Sequence, residues 1–546
     1  MAKQSMMSRA DFLKTLVFGA MAAGSRSSFA QNPPPLQPGE LTIADLRGFA
    51  RVAGLTFTDE ELERVRRDIA GDRSEFAELS KIGQDYGLVP PTIFRALGCE
   101  SLGPPRVDVR VARVAPARPK TDEDIAFLTV NELGHLLRTR QITSTELTSI
   151  YFDRMRRFDP KLLCVVTLTE ELAFRQAGQA DREIATGKIR GPLHGIPYGI
   201  KDLFAVRGYP TQWGTAAFKG QVVDENCAVF DKLTEAGAVC LAKLSLGALA
   251  MNDNWFGGRT KNPWRTTEGS SGSSAGSASA MAAGLVAFAI GTETSGSIMS
   301  PSQRCRVTGL RPTFGSVSRY GAMCLCWSMD KVGPICRTAE DAALVLAALL
   351  GRDSRDVCSV DRPFFYRTPR HLEGWRVGVM GDLQASYVRA LADLGATVSE
   401  FRPPRAIPGL SAILTVEAAS MFDAITRDGR LSLVVENEWP QIFRAARFVS
   451  AVDYALAERV RTHLIEQYRA AFEPFDLIVA PGNGGPMIYQ TNLTGHPQIH
   501  VPFEVRPDGT YVGCSIWAHP WEEAKLIGAA HLLQEKTKFC RQRPAL

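Results

Sequence analysis

Residues 121–546 alternate between amphipathic helical segments and short apolar strands. Apolar positions that recur at helical spacing predict helices at residues 129–138, 145–157, 226–237 and 522–535. Short apolar runs predict buried strands at residues 195–200, 238–241 and 475–481. Helices that alternate with such strands predict an α/β fold in which helices cover both faces of a sheet.

The segment before this pattern, residues 31–120, is organised differently. Four of the ten residues 31–40 are proline, which opposes helix and sheet and predicts a linker. A helical pattern follows, in which a helix starts at Thr58 and places Leu62, Val65 and Ile69 on one face. We therefore predict an N-terminal helical extension that packs on the main body through this face.

The first thirty residues have the pattern of an export signal. A basic start precedes an apolar run over residues 15–23, and Ser28 and Ala30 fit the small-residue positions of a cleavage site. The segment resembles a twin-arginine signal, except that Ala10 occupies the place of the second arginine. Export to the periplasm or the medium is the prediction, and an N-terminus that stays in the cytosol is the alternative. The apolar run is too short to span a bilayer.

Charge and cysteine content narrow the function classes. The formal net charge is +5, and the chain from residue 31 onward carries +2, because four basic residues and one acidic residue precede it. So small a balance does not favour nucleic-acid binding. The eleven cysteines are an odd number and include no Cys-x-x-Cys pair, and most lie in apolar surroundings, so buried reduced thiols are predicted.

Residues 269–301 are rich in glycine and serine and contain no positive charge. A flexible linker does not explain the apolar run at residues 281–290, which predicts a buried segment. A phosphate-binding loop would need a lysine after its last glycine, and residues 266–303 contain no lysine. Residues 328–331 have the Ser-x-x-Lys spacing of penicillin-binding proteins, but the chain has no Lys-Thr-Gly. The remaining interpretation is a catalytic site in which residues 292–297 turn backbone N–H groups toward one point.

A serine nucleophile needs a base, and Lys201 is the best-placed candidate. The eight histidines form no recognisable triad pattern. Lys201 ends the apolar strand at residues 195–200, and strand alternation sends Lys201 and Asp202 to opposite faces. Burial in an apolar, electropositive pocket would make the amine neutral and able to accept a proton.

Several ordered segments together resemble the amidase signature family. They are residues 195–202 (GIPYGIKD), 262–264 (NPW), 291–298 (GTETSGSI), 309–315 (GLRPTFG) and 491–497 (TNLTGHP), with the Gly/Ser stretch between the second and the third. The resemblance covers roughly residues 121–535, and so long an ordered set is far more specific than one short motif.

The resemblance implies a Ser-cisSer-Lys triad. Lys201 matches the lysine base, Ser297 the nucleophile, and Ser273 the serine that follows a cis peptide bond and relays protons between them. Gly272 and Ser274 are expected to support this arrangement, and the alternative for Ser274 is that it only fills the loop. The fold implied is a single large mixed β-sheet between helical layers, and no metal or cofactor is expected.

The same resemblance implies an oxyanion hole for the tetrahedral intermediate. Its donors would be the backbone N–H groups of Thr294, Ser295, Gly296 and Ser297.

Some positions depart from the family pattern. The family commonly has an aspartate paired with an arginine where this chain has Glu293 and Met299, so Glu293 is expected to find another partner, with Arg304 as the candidate. Ser295 and Arg306 stand where glycine is frequent. These departures leave the triad in place, but they are expected to alter the pocket, and reduced activity is left open.

Residues outside these motifs are candidates for the substrate pocket or for metal binding. The region after residue 363, mainly helical to residue 473, is expected to shape the substrate pocket, and Trp327 either lines that pocket or packs in the core. His496 and His500 are predicted to be core or surface histidines, because Pro497 opposes a helix between them and no acidic ligand is evident.

The sequence thus predicts an exported amidase that cleaves a small-molecule carboxylic amide, aryl amide, ester or carbamate through a serine acyl-enzyme. One alternative is an A-type, ammonia-releasing subunit of a tRNA-dependent amidotransferase, and another is a catalytically inactive amidase-like binding protein. A homodimer is left open. The predicted boundaries are 1–30 for the signal, 31–120 for the linker and extension, and 121–546 for the catalytic domain.

Overall fold

The computed structural model describes residues 41–82, 106–434 and 438–546. An eleven-stranded mixed sheet with the order β14-β13-β15-β17-β16-β10-β11-β9-β3-β4-β2 forms its centre. The strands are β1 Val107–Arg110, β2 Val165–Leu168, β3 Pro197–Lys201, β4 Val239–Leu244, β5 Asn254–Trp255, β6 Gly258–Arg259, β7 Lys261–Asn262, β8 Arg265–Gly269, β9 Phe288–Glu293, β10 Thr308–Arg311, β11 Lys331–Cys336, β12 Phe364–Arg367, β13 Arg376–Val379, β14 Thr397–Glu400, β15 Leu477–Pro481, β16 Gln498–Val505 and β17 Tyr511–Trp517.

Helices flank this sheet, as the alternating pattern predicts. The α-helices are Ile43–Val52, Asp59–Ile82, Asp122–Ala126, Val130–Arg138, Ser144–Leu162, Glu170–Ala185, Ala228–Glu235, Ala275–Ala282, Met299–Cys305, Ala339–Leu349, Ser386–Asp393, Ser411–Met421, Asp423–Arg427, Trp439–Ala445, Ala451–Phe472, Met487–Leu493 and Glu523–Thr537. Every helix and strand that the sequence predicts in residues 121–546 is present, with boundaries shifted by a few residues.

The strands that carry the candidate site are buried on both faces. Strand β3 pairs in parallel with β4 on one side and with β9 on the other, and Ile200 lies opposite Ile290. Strand β4 is buried along its whole length, which explains why it reads as a continuous apolar run rather than an alternating one. This register brings the end of β3, where Lys201 lies, beside the end of β9.

The apolar run at residues 281–290 is buried, as predicted, but it is not one element. The helix Ala275–Ala282 ends there, Gly284 turns the chain at φ +65°, and strand β9 begins at Phe288. Glycine is favoured at such an angle because it has no Cβ.

The N-terminal extension packs on the main body through the predicted face. Leu62 and Val65 are buried, and Ile69 packs against them. Farther along the same helix, Leu79 joins a buried cluster with Ile413 and Leu464 of the body. Thr58 and Glu61 form the reciprocal bonds of a capping box, which confirms the predicted helix start.

The structure contains strands in two regions where the sequence predicts none. Residues 107–110, placed by their composition in the segment before the catalytic region, form strand β1, which pairs in parallel with β12. The region from residue 363 to 473 is mainly helical, as predicted, but it also contains the strands β12, β13 and β14, of which β13 and β14 extend the main sheet. The pairings of β1 with β12 and of β13 with β15 join distant segments, so local sequence gives little sign of them.

The ten cysteines in the described ranges are all free thiols, and seven of them are buried. This agrees with the predicted reduced thiols. Within these ranges, none of the helices combines the length and the apolar composition that a bilayer crossing requires.

Candidate active site

Lys201 lies fully buried at the end of strand β3, among hydroxyl groups. Its Nζ donates hydrogen bonds to Ser273 Oγ at 2.8 Å, Thr292 Oγ1 at 2.9 Å and Ser274 Oγ at 3.1 Å. Among the described residues, no carboxylate forms an ion pair with this amine. The contact with Ser273 joins two residues that lie 72 positions apart in the chain.

Burial lowers the pKa of Lys201 from 10.5 to about 7, and the carboxylates of Asp330 and Glu293 oppose this shift. The prediction of an electropositive pocket is therefore wrong. Desolvation favours the neutral amine, whereas the charges that act on it come from carboxylates. With a pKa near neutrality, a large share of the amine is uncharged at pH 7.

Asp202 lies on the other side of the strand, as alternation predicts. Its Oδ1 is 2.7 Å from Lys243 Nζ, and both side chains are fully buried. Because Lys243 neutralises Asp202, this acid does not hold the Lys201 ammonium in its charged form.

Ser273 lies in a constrained turn. The Gly272–Ser273 peptide bond is cis, as the resemblance implies, and Ser271 has a left-handed φ of +60°. A Cβ on Gly272 would lie 1.7 Å from the carbonyl oxygen of Asn252, so only glycine fits there. Asp253 Oδ2 accepts a hydrogen bond from Ser271 N and fastens the turn.

Ser274 connects this turn to the segments around it. Its backbone N–H donates to Ser297 O at 3.0 Å. Its hydroxyl donates to Thr292 O and accepts from Thr292 N, besides accepting from Lys201. Ser274 therefore holds the Ser273 turn, strand β9 and the main chain of Ser297 together.

Glu293 organises the loop that carries Ser297. Its Oε2 accepts hydrogen bonds from Ile298 N at 2.8 Å and Met299 N at 2.9 Å. Its Oε1 accepts from Arg311 Nη1 at 2.7 Å and Asn492 Nδ2 at 2.9 Å. Burial acts to raise the pKa of Glu293, but Arg311 and these hydrogen bonds hold that pKa below its ordinary value.

The expected pairing of Glu293 with Arg304 is therefore wrong. Arg304 lies half exposed and contacts Glu268, at 3.3 Å. Arg311, at the end of strand β10, instead enters the core beside Glu293, and its guanidinium also donates to His496 O.

The loop after Glu293 offers unpaired backbone donors. The N–H groups of residues 294–297 donate to no acceptor among the described residues. Gly296 has a φ of +96°, which favours glycine. Thr294 Oγ1 donates to Asp330 Oδ1 at 2.5 Å, and this bond anchors the side of the loop nearest Asp330. Ser295 is half-buried and Ser297 is 9% exposed.

A cavity of about 210 Å³ borders this loop at Thr292 and Thr294. Most of its remaining wall is apolar and consists of Leu203, Ala250, Ala322, Met323, Leu325, Trp327, Val332 and Val357. Trp327 therefore lines a cavity. None of the lining residues comes from the region after residue 363, so the prediction that this region shapes the pocket is wrong for this cavity.

The charged groups at this cavity have partners within the protein. Arg319 forms a two-pronged ion pair with Asp356, and Arg355 pairs with Asp353. Asp330 accepts hydrogen bonds from two main-chain N–H groups as well as from Thr294.

The Ser-x-x-Lys motif does not bring its serine and lysine together. Ser328 and Lys331 do not pair: Ser328 Oγ accepts from Arg461, and Lys331 donates to the carbonyls of Met329 and Asn492. His496 and His500 are buried core histidines, and the described residues contain no cluster suited to a metal ion.

Sequence reasoning missed three of the polar residues around this site. The sequence places Thr292 only within the loop, and it gives no sign that Arg311 and Asn492 contact Glu293. The parallel register of β3 and β9 would have shown that Thr292 faces Lys201, but register between distant strands is not written in local sequence.

Comparisons with a family model and with known proteins point to the same family. The family model for amidases matches residues 146–488. The A subunit of the glutamyl-tRNA(Gln) amidotransferase of Methylococcus capsulatus is 34% identical over 479 residues, which cover 76% of this chain and 98% of that one. The corresponding protein of Pseudomonas aeruginosa is 32% identical, and the match covers 77% of this chain and 99% of that one.

Solved structures of amidases have the same fold. The native peptide amidase of Stenotrophomonas maltophilia superposes with a TM-score of 0.68 at 29% identity, covering 76% of this chain and 98% of that one. A bacterial aryl acylamidase of the amidase signature family also gives a TM-score of 0.68, at 23% identity, covering 77% and 99%. From the family match and these relatives, the chain belongs to the amidase signature family.

Proposed function

We propose that this protein hydrolyses carboxylic amides through a covalent acyl-enzyme on Ser297. The observation that carries the proposal is the buried Lys201 amine, whose pKa is near 7 and whose Nζ lies 2.8 Å from Ser273 Oγ. The turn of Ser273 is tied to the main chain of Ser297 through Ser274. A neutral amine beside a serine is what a serine nucleophile needs when no histidine is near.

The proposed reaction uses these residues in two steps. Neutral Lys201 accepts the proton of Ser273, which takes the proton of Ser297 as Ser297 Oγ bonds to the amide carbon. The oxyanion accepts hydrogen bonds from backbone N–H groups of residues 294–297, each worth about 3 kcal/mol in comparable sites. When the C–N bond breaks, Ser273 returns a proton to the leaving nitrogen. Water then attacks the acyl carbon by the same relay, which frees the acid and restores Ser297.

The cavity beside Thr294 favours an apolar, uncharged group on the substrate. Its wall is mainly apolar, and its arginines are already neutralised by aspartates. The carboxylate of an amino-acid head group would find no unpaired arginine among these lining residues, and burial lowers the pKa of the remaining cation, Lys331, well below its ordinary value. The carboxylate would therefore lose its hydration without gaining an ion pair. Small aliphatic or aryl amides, and the related esters and carbamates, fit better.

A second candidate is the A-type subunit of a tRNA-dependent amidotransferase. The 34% identity to such a protein over 98% of its length favours it. In that role the same serine chemistry would release ammonia, and the protein would work with partner subunits. The paired arginines of the cavity count against free glutamine as the substrate, because its carboxylate would lack an arginine partner there.

The two candidates differ in what the purified chain does alone. We expect it to hydrolyse an uncharged anilide without partners, and Ser297→Ala or Lys201→Ala to reduce this rate by at least about 10³-fold. The exposed Ser432→Ala is the matched control and should keep the full rate. Turnover of glutamine only, and only with added subunits, would favour the amidotransferase. Hydrolysis that survives in Ser297→Ala would overturn the mechanism.

Export stays a proposal, because residues 1–30 lie outside the described residues. It predicts that the mature chain from a periplasmic fraction begins at Gln31, which N-terminal sequencing would check.

A further inference from the structure

A second cavity, of about 610 Å³, borders the segments that carry Ser273 and Ser297. Ser271, two residues before Ser273, and Ser300, three residues after Ser297, both line it. In contrast to the cavity at Thr294, its wall is polar. We name it the Arg306 cavity after one of its arginines, and its other polar lining includes Asn262, Gln303 and Asn483.

The Arg306 guanidinium is held in place by aromatic rings rather than by an acid. Its Cζ lies 4.7 Å from the ring centre of Trp264 and 5.0 Å from that of Tyr511. The side chain forms no hydrogen bond or ion pair with a described residue. Rings that pack on a guanidinium leave its N–H edge available, and that edge matches the two oxygens of a carboxylate.

The backbone of Arg306 makes an arginine here costly. It follows the helix Met299–Cys305 directly and has a left-handed φ of +56°. A residue with a Cβ costs about 1–2 kcal/mol at such a position relative to its ordinary conformation, whereas glycine does not. Arg306 therefore occupies a position that glycine would fill without this cost.

The other charges of the cavity are nearly balanced. Arg265 and Arg304 both contact Glu268, at 2.7 Å and 3.3 Å. Asp508 accepts a hydrogen bond from Thr510 N in its own turn. Three arginines therefore face two carboxylates, and Arg306 is the cation without an acidic partner among the described residues.

We infer that the Arg306 cavity binds a polar small molecule that carries one carboxylate, with Arg306 gripping its two oxygens. A single negative charge neutralises the surplus cation. A phosphate dianion would leave an excess negative charge near Glu268 and Asp508. The amides of Gln303 and Asn483 and the hydroxyl of Ser271 are placed to bind the polar remainder. The inference goes beyond the proposed hydrolysis and does not require Ser297 to react.

Calorimetric titration of the full-length Ser297→Ala protein tests this site without turnover. The probe is N-acetylglycine, and its uncharged counterpart is N-acetylglycinamide. We expect N-acetylglycine to bind with a millimolar dissociation constant and at least about tenfold more tightly than the amide or inorganic phosphate, since a charged hydrogen-bonded pair is worth at least that factor.

Arg306→Gly, added to Ser297→Ala, should weaken N-acetylglycine binding at least about tenfold and leave the amide unaffected. Glycine suits the backbone angle, so this variant should fold. Arg306→Lys provides a second variant, which keeps the positive charge but loses the paired N–H donors of the guanidinium. Arg304→Ala is the matched control and should change binding by less than about threefold, because its exposed pair is weak. No binding of N-acetylglycine, equal affinity in Arg306→Gly, or tighter binding of phosphate would each overturn the inference.

Discussion

At the scale of single residues, the chemistry of this protein depends on the protonation state of one amine. Lys201 has three hydroxyl oxygens within hydrogen-bond distance, and no carboxylate of the described residues is paired with it, so burial dominates its pKa. Asp202, the next residue in the chain, is paired with Lys243 and therefore does not stabilise the charged form of Lys201. The arrangement gives Ser273 a base that works near neutral pH.

The pKa of Lys201 predicts the pH dependence of catalysis. Because the base must be neutral to accept a proton, kcat/KM should rise with pH, with an apparent pKa near 7, and reach a plateau above it. Below that value it should fall about tenfold per pH unit. Stopped assays with an uncharged anilide from pH 5 to 9 check this. A profile that is flat across this range would contradict a lysine base.

At the scale of elements, Glu293 couples strand β9 to the loop of Ser297. Its carboxylate accepts four hydrogen bonds, two of them from the main chain just after Ser297. It also neutralises Arg311, which is fully buried. The catalytic loop and the core therefore share one charged anchor.

Glu293→Gln should destabilise the protein and slow it. The amide has one acceptor oxygen, so it leaves donors unpaired and Arg311 without its counter-charge, at a cost of about 3–5 kcal/mol in the free energy of unfolding. We also expect kcat to fall with little change in KM, because the turn after Ser297 loses its anchor.

Denaturant unfolding and steady-state kinetics check both effects, with Glu268→Gln as the control. Glu268 is an acceptor for two partly exposed arginines, so its loss should cost less than about 1 kcal/mol. Equal stability of the two variants would show that Glu293 is not the anchor.

The elements themselves could be predicted better than their contacts. Hydrophobic period is a local property, and it located β3, β4, β15 and the helices beside them. The contact of Lys201 with Ser273 came only from the resemblance, because 72 residues separate the two. The partner of Glu293 and the pairing of β1 with β12 depend on long-range register, which local sequence does not carry.

At the scale of the whole molecule, the N-terminal extension and the body share a core. Leu79 is fully buried in a cluster that includes Ile413, Leu464 and Phe472. Glu61 of the same helix forms an ion pair with Arg444. The extension is therefore expected to contribute to the stability of the body.

Leu79→Ala should lower the free energy of unfolding by about 2–5 kcal/mol through the cavity that it leaves. Leu383→Ala, at a site that is 40% exposed, is the matched control and should have a small effect. Calorimetry of the full chain checks the difference, and kcat should stay unchanged in both variants. If Leu79→Ala left the unfolding of the body unaltered, the extension would not share its core.

The proposal that Ser297 is a nucleophile activated by Lys201 is tested most directly with a fluorophosphonate. The mass of the intact protein is measured after exposure to this reagent, and the modified peptide is then mapped. A Ser297 activated through Ser273 and Lys201 predicts one adduct, on Ser297, which forms at least about 10²-fold more slowly in Lys201→Ala. Labelling of another residue, or labelling of Ser297 at the same rate in Lys201→Ala, would contradict this mechanism.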